Sequence, residues 1–240
     1  MRVPRFYTAS DLRKDEVTLE PDTTRRLRTV LRLRPGDLVR LFDGAGREAK
    51  GRLLEGGAIA VYSRGKAHEQ GPEVHLFPAL FKANRFDWLV EKAVELGATA
   101  IHPVVCERSI LDERSRRAAR WRRIAVEAAE QSERRVIPPV HEAVSFQRGL
   151  EEAPGLKVFA WEGEPSRRID VATLGEGAPV SIFTGPEGGY TDAEVEMARA
   201  AGALIVTLGQ FTLRAETAAV VALGAVVTGL PENAGNAKLT

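Results

Sequence analysis

Cysteine is almost missing from these 240 residues: Cys106 stands alone, which rules out a disulfide within the chain. Such sparing use fits a reducing compartment. A single cysteine can be a nucleophile, but Cys106 closes the apolar run that begins at Ile101 and reads as a core residue. No GxGxxG follows an early strand and no GxxxxGK[ST] occurs, so dinucleotide-fold and NTPase readings lose their main support. There is no GxSxG element either. The four histidines, His68, His75, His102 and His141, lack metal-ligand spacing, so each is expected to be an ordinary surface or core residue and no metal is expected. The longest uncharged stretch, Thr217 to Pro231, is too short to span a membrane. Met1-Arg2-Val3-Pro4-Arg5 is followed by no apolar run of signal-peptide length, and the expectation is a cytoplasmic protein without a membrane partner.

What is present is an ordinary globular composition, 44% hydrophobic and 28% charged. The formal charge of +1 hides an asymmetry. Residues 1 to 70 carry 15 Lys and Arg against 10 Asp and Glu, and residues 71 to 240 carry 19 against 23. A basic leading segment suggests an anionic partner there.

The stretch from Val180 to Leu230 organises the rest. A buried strand, Val180 to Phe183, enters a glycine-rich turn, Thr184-Gly185-Pro186-Glu187-Gly188-Gly189. Thr191 followed by Glu194 is a capping box that opens a helix after the turn, leaving the turn free to bind. A second apolar strand, Ala203 to Leu208, leads to the loop Gly209-Gln210-Phe211-Thr212-Leu213-Arg214 and then to the uncharged helix. Two loops at the carboxyl ends of buried strands predict a small-molecule site. Arg214 sits where that helix starts, a position the helix dipole disfavours for a cation. It therefore has either a task in the pocket or an ion-pair partner in Glu216 or Glu187.

Read in order, the first 70 residues predict short strands, Leu38 to Phe42, Lys50 to Leu54 and Ala58 to Tyr62, with a helix from an Asp22 cap to Leu31. That helix should bury Leu27, Val30 and Leu31 and expose Arg25, Arg26, Arg28 and Arg32. A small β-barrel of this kind often presents basic residues to nucleic acid, and Arg2, Arg5, Arg25, Arg28 and Arg32 are its candidates. A domain boundary falls near His68 to Pro72, giving domains at 1–70 and 73–240. Beyond it strands and helices alternate: Val74 to Phe77, a helix from Asn84 to Gly97, Thr99 to Val105, a helix from Arg114 to about Gln131, and Leu156 to Trp161 ending at Glu162. The second helix shows another basic face with Arg116, Arg117, Arg120 and Arg123, of which Arg120 is an RNA candidate. The fold class is α/β, a mainly parallel sheet with helices on both faces, plus the barrel. The tail after Pro231 reads as loose.

Phe183-Thr184-Gly185-Pro186-Glu187-Gly188-Gly189, with Leu208-Gly209 and Leu213-Arg214-Ala215-Glu216-Thr217-Ala218, resembles the signature of the SPOUT methyltransferases, specifically the 16S rRNA uridine N3-methyltransferase family. The likeness extends to Val90 to Gly97 with Pro103, to Glu127 to Ser132 with Arg134 and Pro138, and to Val30 to Leu33 with Gly36-Asp37 and Phe42-Asp43-Gly44. Two positions depart: Glu133 stands where the family often has glycine, and Thr212 where an aliphatic residue is usual. The resemblance implies a PUA-like RNA-binding barrel and a SPOUT domain with a carboxyl-terminal trefoil knot. It also implies S-adenosyl-L-methionine as cofactor, a homodimer, and 16S rRNA or the small ribosomal subunit as partner. Site residues implied for the cofactor are Trp161, Phe183, Thr184, Gly185, Pro186, Glu187, Gly188, Leu208, Gly209, Thr212, Leu213, Arg214, Thr217 and Ala218. Arg214, Glu216 and Arg134 are the catalytic candidates, with a structural pair to Glu130 as the other reading of Arg134. The alternatives are methylation of a ribose 2′-OH or of tRNA, or a non-catalytic RNA-binding scaffold.

Overall fold

The computed structural model describes residues 3–66, 71–110, 117–174 and 177–230. The expected loose tail, Arg2, Arg116 and the start predicted for the helix at Arg114 lie outside those residues. The chain divides into two compact units: Met1–Glu69 with Val126–Ile137, and Gln70–Ala125 with Pro138–Thr240.

In the first unit, β1 (Arg5–Tyr7), β2 (Glu16–Val17), a short helix α1 (Pro21–Arg25), β3 (Leu38–Phe42), β4 (Arg47–Leu53) and β5 (Ile59–Lys66) follow in sequence. The strands form one sheet in the order β1-β3-β4-β5-β2. Alternation along β4 puts Ala49, Gly51 and Leu53 inward, toward a core that includes Phe6, Leu27, Leu41 and Ile59. Helix α1 starts one residue before the expected cap, with Pro21 at its first turn and no side-chain cap from Glu20. It continues as a π-helical turn over Arg26–Val30. The wider turn shifts the side-chain phase: Leu27 stays buried, whereas Val30 is 69% and Leu31 44% exposed, contrary to the predicted inward stripe.

Residues 126–137 join this unit through polar contacts. Glu130 is buried, accepts from Tyr7 N at 2.9 Å and pairs with Arg26. Arg5, expected at an RNA surface, is buried instead. Its guanidinium donates to Glu48 at 3.0 Å, to Ala129 O at 2.8 Å and to Arg134 O at 2.6 Å, and lies over the Phe42 ring. Charge pattern alone could not separate this buried tie from a solvated arginine. Glu133 has φ of 63°, the left-handed region that favours glycine, and Arg40 pairs with its carboxylate at 3.2 Å. That conformation explains why glycine suits the position.

The second unit runs β6 (Val74–Pro78), α2 (Ala83–Leu96), β7 (Ala100–Ile101), β8 (Val104–Val105), the first residues of α3 (Ala118–Ser132), β9 (Val144–Ser145), α4 (Phe146–Glu152), β10 (Leu156–Ala160), β11 (Val180–Thr184), α5 (Asp192–Ala200), β12 (Leu204–Val206) and α6 (Ala215–Gly229). Its main sheet is parallel throughout, in the order β12-β10-β11-β6-β7. Strand β11 is buried at all five positions, as a central strand covered on both faces must be. The run expected as one strand from Thr99 to Val105 splits into β7 and β8 around His102-Pro103, where proline supplies no N–H to a ladder. Gly97, with φ of 101°, ends α2. Helix α5 carries the expected capping box from Thr191 and Glu194.

Three of the histidines that looked scattered meet in space. His75 Nδ1 lies 3.0 Å from His102 Nε2, and His75 Nε2 lies 2.9 Å from Glu73. The His102 ring stacks between Phe77, 4.4 Å away, and His141, 4.2 Å away. Burial, then the neighbouring imidazoles, pushes His102 down to about 4 from its ordinary 6.5. The folded state thus holds His102 neutral where the unfolded chain takes up a proton, so its contribution is complete above pH 6.5 and is lost as the pH falls toward 4. Thermal unfolding should show the midpoint falling across that window, and His102→Phe should flatten the decline relative to wild type.

Candidate active site

Strands β10, β11 and β12 end at one edge of the sheet, and the three segments that leave them surround a cavity of about 420 Å³. Trp161 and Glu162 follow β10, Gly185, Pro186, Glu187 and Gly189 follow β11, and Thr207 to Arg214 follow β12. Ala215 and Ala218 from the start of α6 and Arg85 from α2 complete the wall.

The glycine turn is closed by Gly189 N donating to Pro186 O at 3.0 Å, with Gly189 at φ of 70°. Arg108 holds the turn from outside through Gly188 O at 3.1 Å. The other loop is fixed at its base, where Thr207 N donates to Arg167 O at 2.7 Å and Thr207 Oγ1 to Gly209 O at 3.0 Å.

Of the residues expected to bind a cofactor, Trp161, Gly185, Pro186, Glu187, Leu208, Gly209, Thr212, Leu213, Arg214 and Ala218 line this cavity. Phe183, Thr184, Gly188 and Thr217 do not. Phe183 belongs to the core, stacked on Phe77 with centroids 4.6 Å apart. Thr184 is buried, and its hydroxyl has no hydrogen-bond partner among the described residues. Gly188 faces Arg108. Gly189, Gln210 and Phe211, which lie in the two loops expected at the site, and Glu162, at the expected carboxyl end of its strand, also line it, whereas Arg85, Ala160, Thr207 and Ala215 were not expected there and nothing local marks Arg85.

Arg214 is exposed at the amino end of α6 and forms no side-chain hydrogen bond or ion pair among the described residues. The carboxylates proposed as its structural partners are engaged by Arg85, with Glu187 at 2.9 Å and Glu216 at 3.7 Å. Glu216 is buried, does not line the cavity, and keeps Oε2 without a hydrogen-bond partner among the described residues. Buried polar atoms left open in this way mark a place for water or chemistry. Arg134 lies in the first unit, partly exposed. Cys106 is buried and its thiol is driven well above the usual range by burial, then by Glu194, so it stays protonated and no nucleophile. No group of three or more potential metal ligands occurs among the described residues, and no helix among them is long and apolar enough to cross a membrane.

A family model described as an RNA methyltransferase domain matches residues 68–227, and one described as an RNA methyltransferase PUA domain matches residues 27–64. Ribosomal RNA small subunit methyltransferase E of Synechocystis sp. is 36% identical over 220 residues, which cover 88% of this chain and 72% of that protein. The chain belongs to this methyltransferase family. Its relative of the same description in Bacillus subtilis is 33% identical, covering 82% of this chain and 84% of its own length. A crystal structure of the Neisseria gonorrhoeae member bound to S-adenosyl methionine superposes with a TM-score of 0.85 at 33% identity, covering 95% of this chain and 98% of that one. The expected fold class, a parallel-sheet domain with a PUA-like unit, is that of the family. Because Gly189 sits in a left-handed conformation and a Cβ there would lie 2.5 Å from Glu162 Oε1, Gly189→Ala should lower stability by about 1–2 kcal/mol, as read by urea denaturation.

Proposed function

We propose that this chain uses S-adenosylmethionine to methylate N3 of a uridine in 16S rRNA. The observation that carries the reading is Arg214: a cation lining the cavity, at a helix end that disfavours it, with its nearby carboxylates held by another arginine. Family membership supplies the reaction class. The residues present fit the cofactor. The cavity of about 420 Å³ has the size of a small-molecule site. Gly185 and the segment Leu208 to Leu213 bring main chain to its wall, and Glu162 brings negative charge suited to a cationic ligand, Glu187 being paired with Arg85.

When bound, the cofactor supplies a methyl group on a sulfonium centre and is left as a neutral thioether. The protein's task is with the uracil, because N3 carries a proton and attacks only once that proton leaves. Glu216 takes the proton, directly or through water, at Oε2, the buried oxygen that has no hydrogen-bond partner among the described residues. Arg214 stabilises the negative charge that spreads onto the ring oxygens. Enclosure between the loops holds the nitrogen in line with the methyl group. Arg134 grips phosphate or base, from the same or the partner subunit. Residues 1–70 serve as the RNA-binding barrel and 73–240 as the methyltransferase domain. Arg25, Arg28 and Arg32 are exposed there, and Arg120 is exposed while paired with Asp87. A carboxyl-terminal knot belongs to this reading through the family match. So does a cytoplasmic location, where ribosomal RNA is made and assembled.

Nucleoside mass spectrometry of 16S rRNA incubated with protein and cofactor should show 3-methyluridine and no 2′-O-methyl product. Arg214→Ala and Glu216→Gln should each lower kcat by about 10²–10³-fold with unchanged folding; rates within a few fold of wild type would remove their roles. The reading includes a homodimer, since α6 is uncharged beyond Glu216 and still exposes Val221 at 40%. Light scattering after size exclusion should return twice the 26.2 kDa chain mass.

A further inference from the structure

Phe211 is the most exposed large hydrophobic side chain among the described residues, at 75%, and it also belongs to the cavity wall. Apolar side chains exposed singly are ordinary on a protein surface, so the place decides. A phenyl ring open to water at the rim of a ligand cavity has a face that something arriving from outside can cover. The loop that carries it is tied at both ends. Thr207 holds the start through Arg167 O and Gly209 O, and at the far end Arg214 O accepts from Ala218 N at 2.8 Å in the first turn of α6. Between these ties Gln210, Phe211 and Thr212 are three exposed residues in a row, with Gly209 and Leu213 half-buried on either side. The other aromatic side chain of the wall, Trp161, is half-buried and packs against the core. One ring is therefore spent on the fold and the other is free.

We infer that Phe211 is a substrate-binding residue, the platform on which the target uracil stacks after it leaves the RNA strand, an inference that rests on the function proposed above. Methylation at N3 requires the pairing edge of the base to face the methyl donor, so the base must swing out of its stack. A uracil turned out in this way has lost its stacking neighbours, and its edge is committed to the reaction. Its faces remain, and an aromatic side chain meets a face without competing for the edge. The adenine of the cofactor is the poorer occupant: a cofactor seated inside the cavity meets the wall, whereas a ring three-quarters exposed meets what comes from solvent. Because phosphate contacts supply most of the affinity for RNA, the stack acts on the fraction of bound RNA with its base in place, and so on kcat more than on KM.

A cross-linking experiment tests the contact without turnover. 16S rRNA transcribed with 5-iodouridine in place of uridine is bound to protein loaded with S-adenosylhomocysteine and irradiated in the near ultraviolet, which joins iodouracil to an aromatic ring stacked on it. Peptide mass spectrometry should find the cross-link at Phe211, and primer extension should place it on the nucleotide that wild type converts to 3-methyluridine. In methylation assays Phe211→Ala should lower kcat about tenfold and leave KM for RNA and the Kd of S-adenosylmethionine within about threefold. Phe211→Tyr should restore most of kcat, and Phe211→Leu, apolar but without a π face, should not. Cross-links at other residues with none at Phe211 overturn the inference, as does an unchanged kcat in Phe211→Ala. A raised KM with unchanged kcat overturns it in favour of a flanking base, weaker cofactor binding in favour of the adenine, and loss of the dimer in favour of a second copy of this chain. If wild type forms no 3-methyluridine, the parent reading fails on its own, while the cross-link still decides whether Phe211 meets a uracil.

Discussion

The register of the parallel sheet is the constraint from which the site follows. Ala160 of β10 sits opposite Thr184 of β11 and Val206 of β12, and Thr184 sits opposite Pro78 of β6. Because the strands finish level, the segments after β10, β11 and β12 all leave at one edge. Trp161 N still donates to Val206 O at 2.9 Å and Thr207 N to Arg167 O at 2.7 Å, and beyond these ties the segments form the wall of the cavity. A slip of one residue would turn the alternating side chains of a strand over and remove its loop from the edge. The full burial of β11 makes such a slip costly, since all five of its side chains are packed.

Charge at the site is arranged by separation. Arg85 takes up Glu187 and Glu216, and Arg214 is left at the wall without them. Two arginines close to two glutamates could have neutralised one another in pairs; the geometry gives both glutamates to one arginine. The outcome is a cation at the cavity wall and a buried carboxylate whose second oxygen has no hydrogen-bond partner among the described residues. The thiol and the phenol nearby take no part. Burial drives Cys106 and Tyr190 well above their usual ranges, so both remain neutral.

In the first unit arginine does the opposite work. Arg5 is buried among main-chain carbonyls, Glu48 and the Phe42 ring, and Arg26 closes on the buried Glu130. These contacts join strand β1 and the turn after α1 to residues 126–137, so part of the basic balance of the leading segment is structural. Arg25, Arg28 and Arg32 remain exposed, with Arg28 donating to Glu55 O at 2.8 Å.

What the sequence determined by itself was local. The Thr191 and Glu194 capping box, the Gly97 stop, the glycine turn and the uncharged α6 each depend on residues within a few positions of one another, and the family signature lies in two such stretches. Most of the cavity wall is legible for the same reason. Tertiary structure decided the rest. The π-helical turn that exposes Val30 and Leu31, the stack of His75, His102 and His141, the burial of Arg5 and the convergence of Glu187 and Glu216 on Arg85 all depend on residues distant in sequence or on a backbone phase that composition does not encode. An arginine reads the same in a sequence whether water or a carboxylate receives it; only the folded chain sets the distance that distinguishes them.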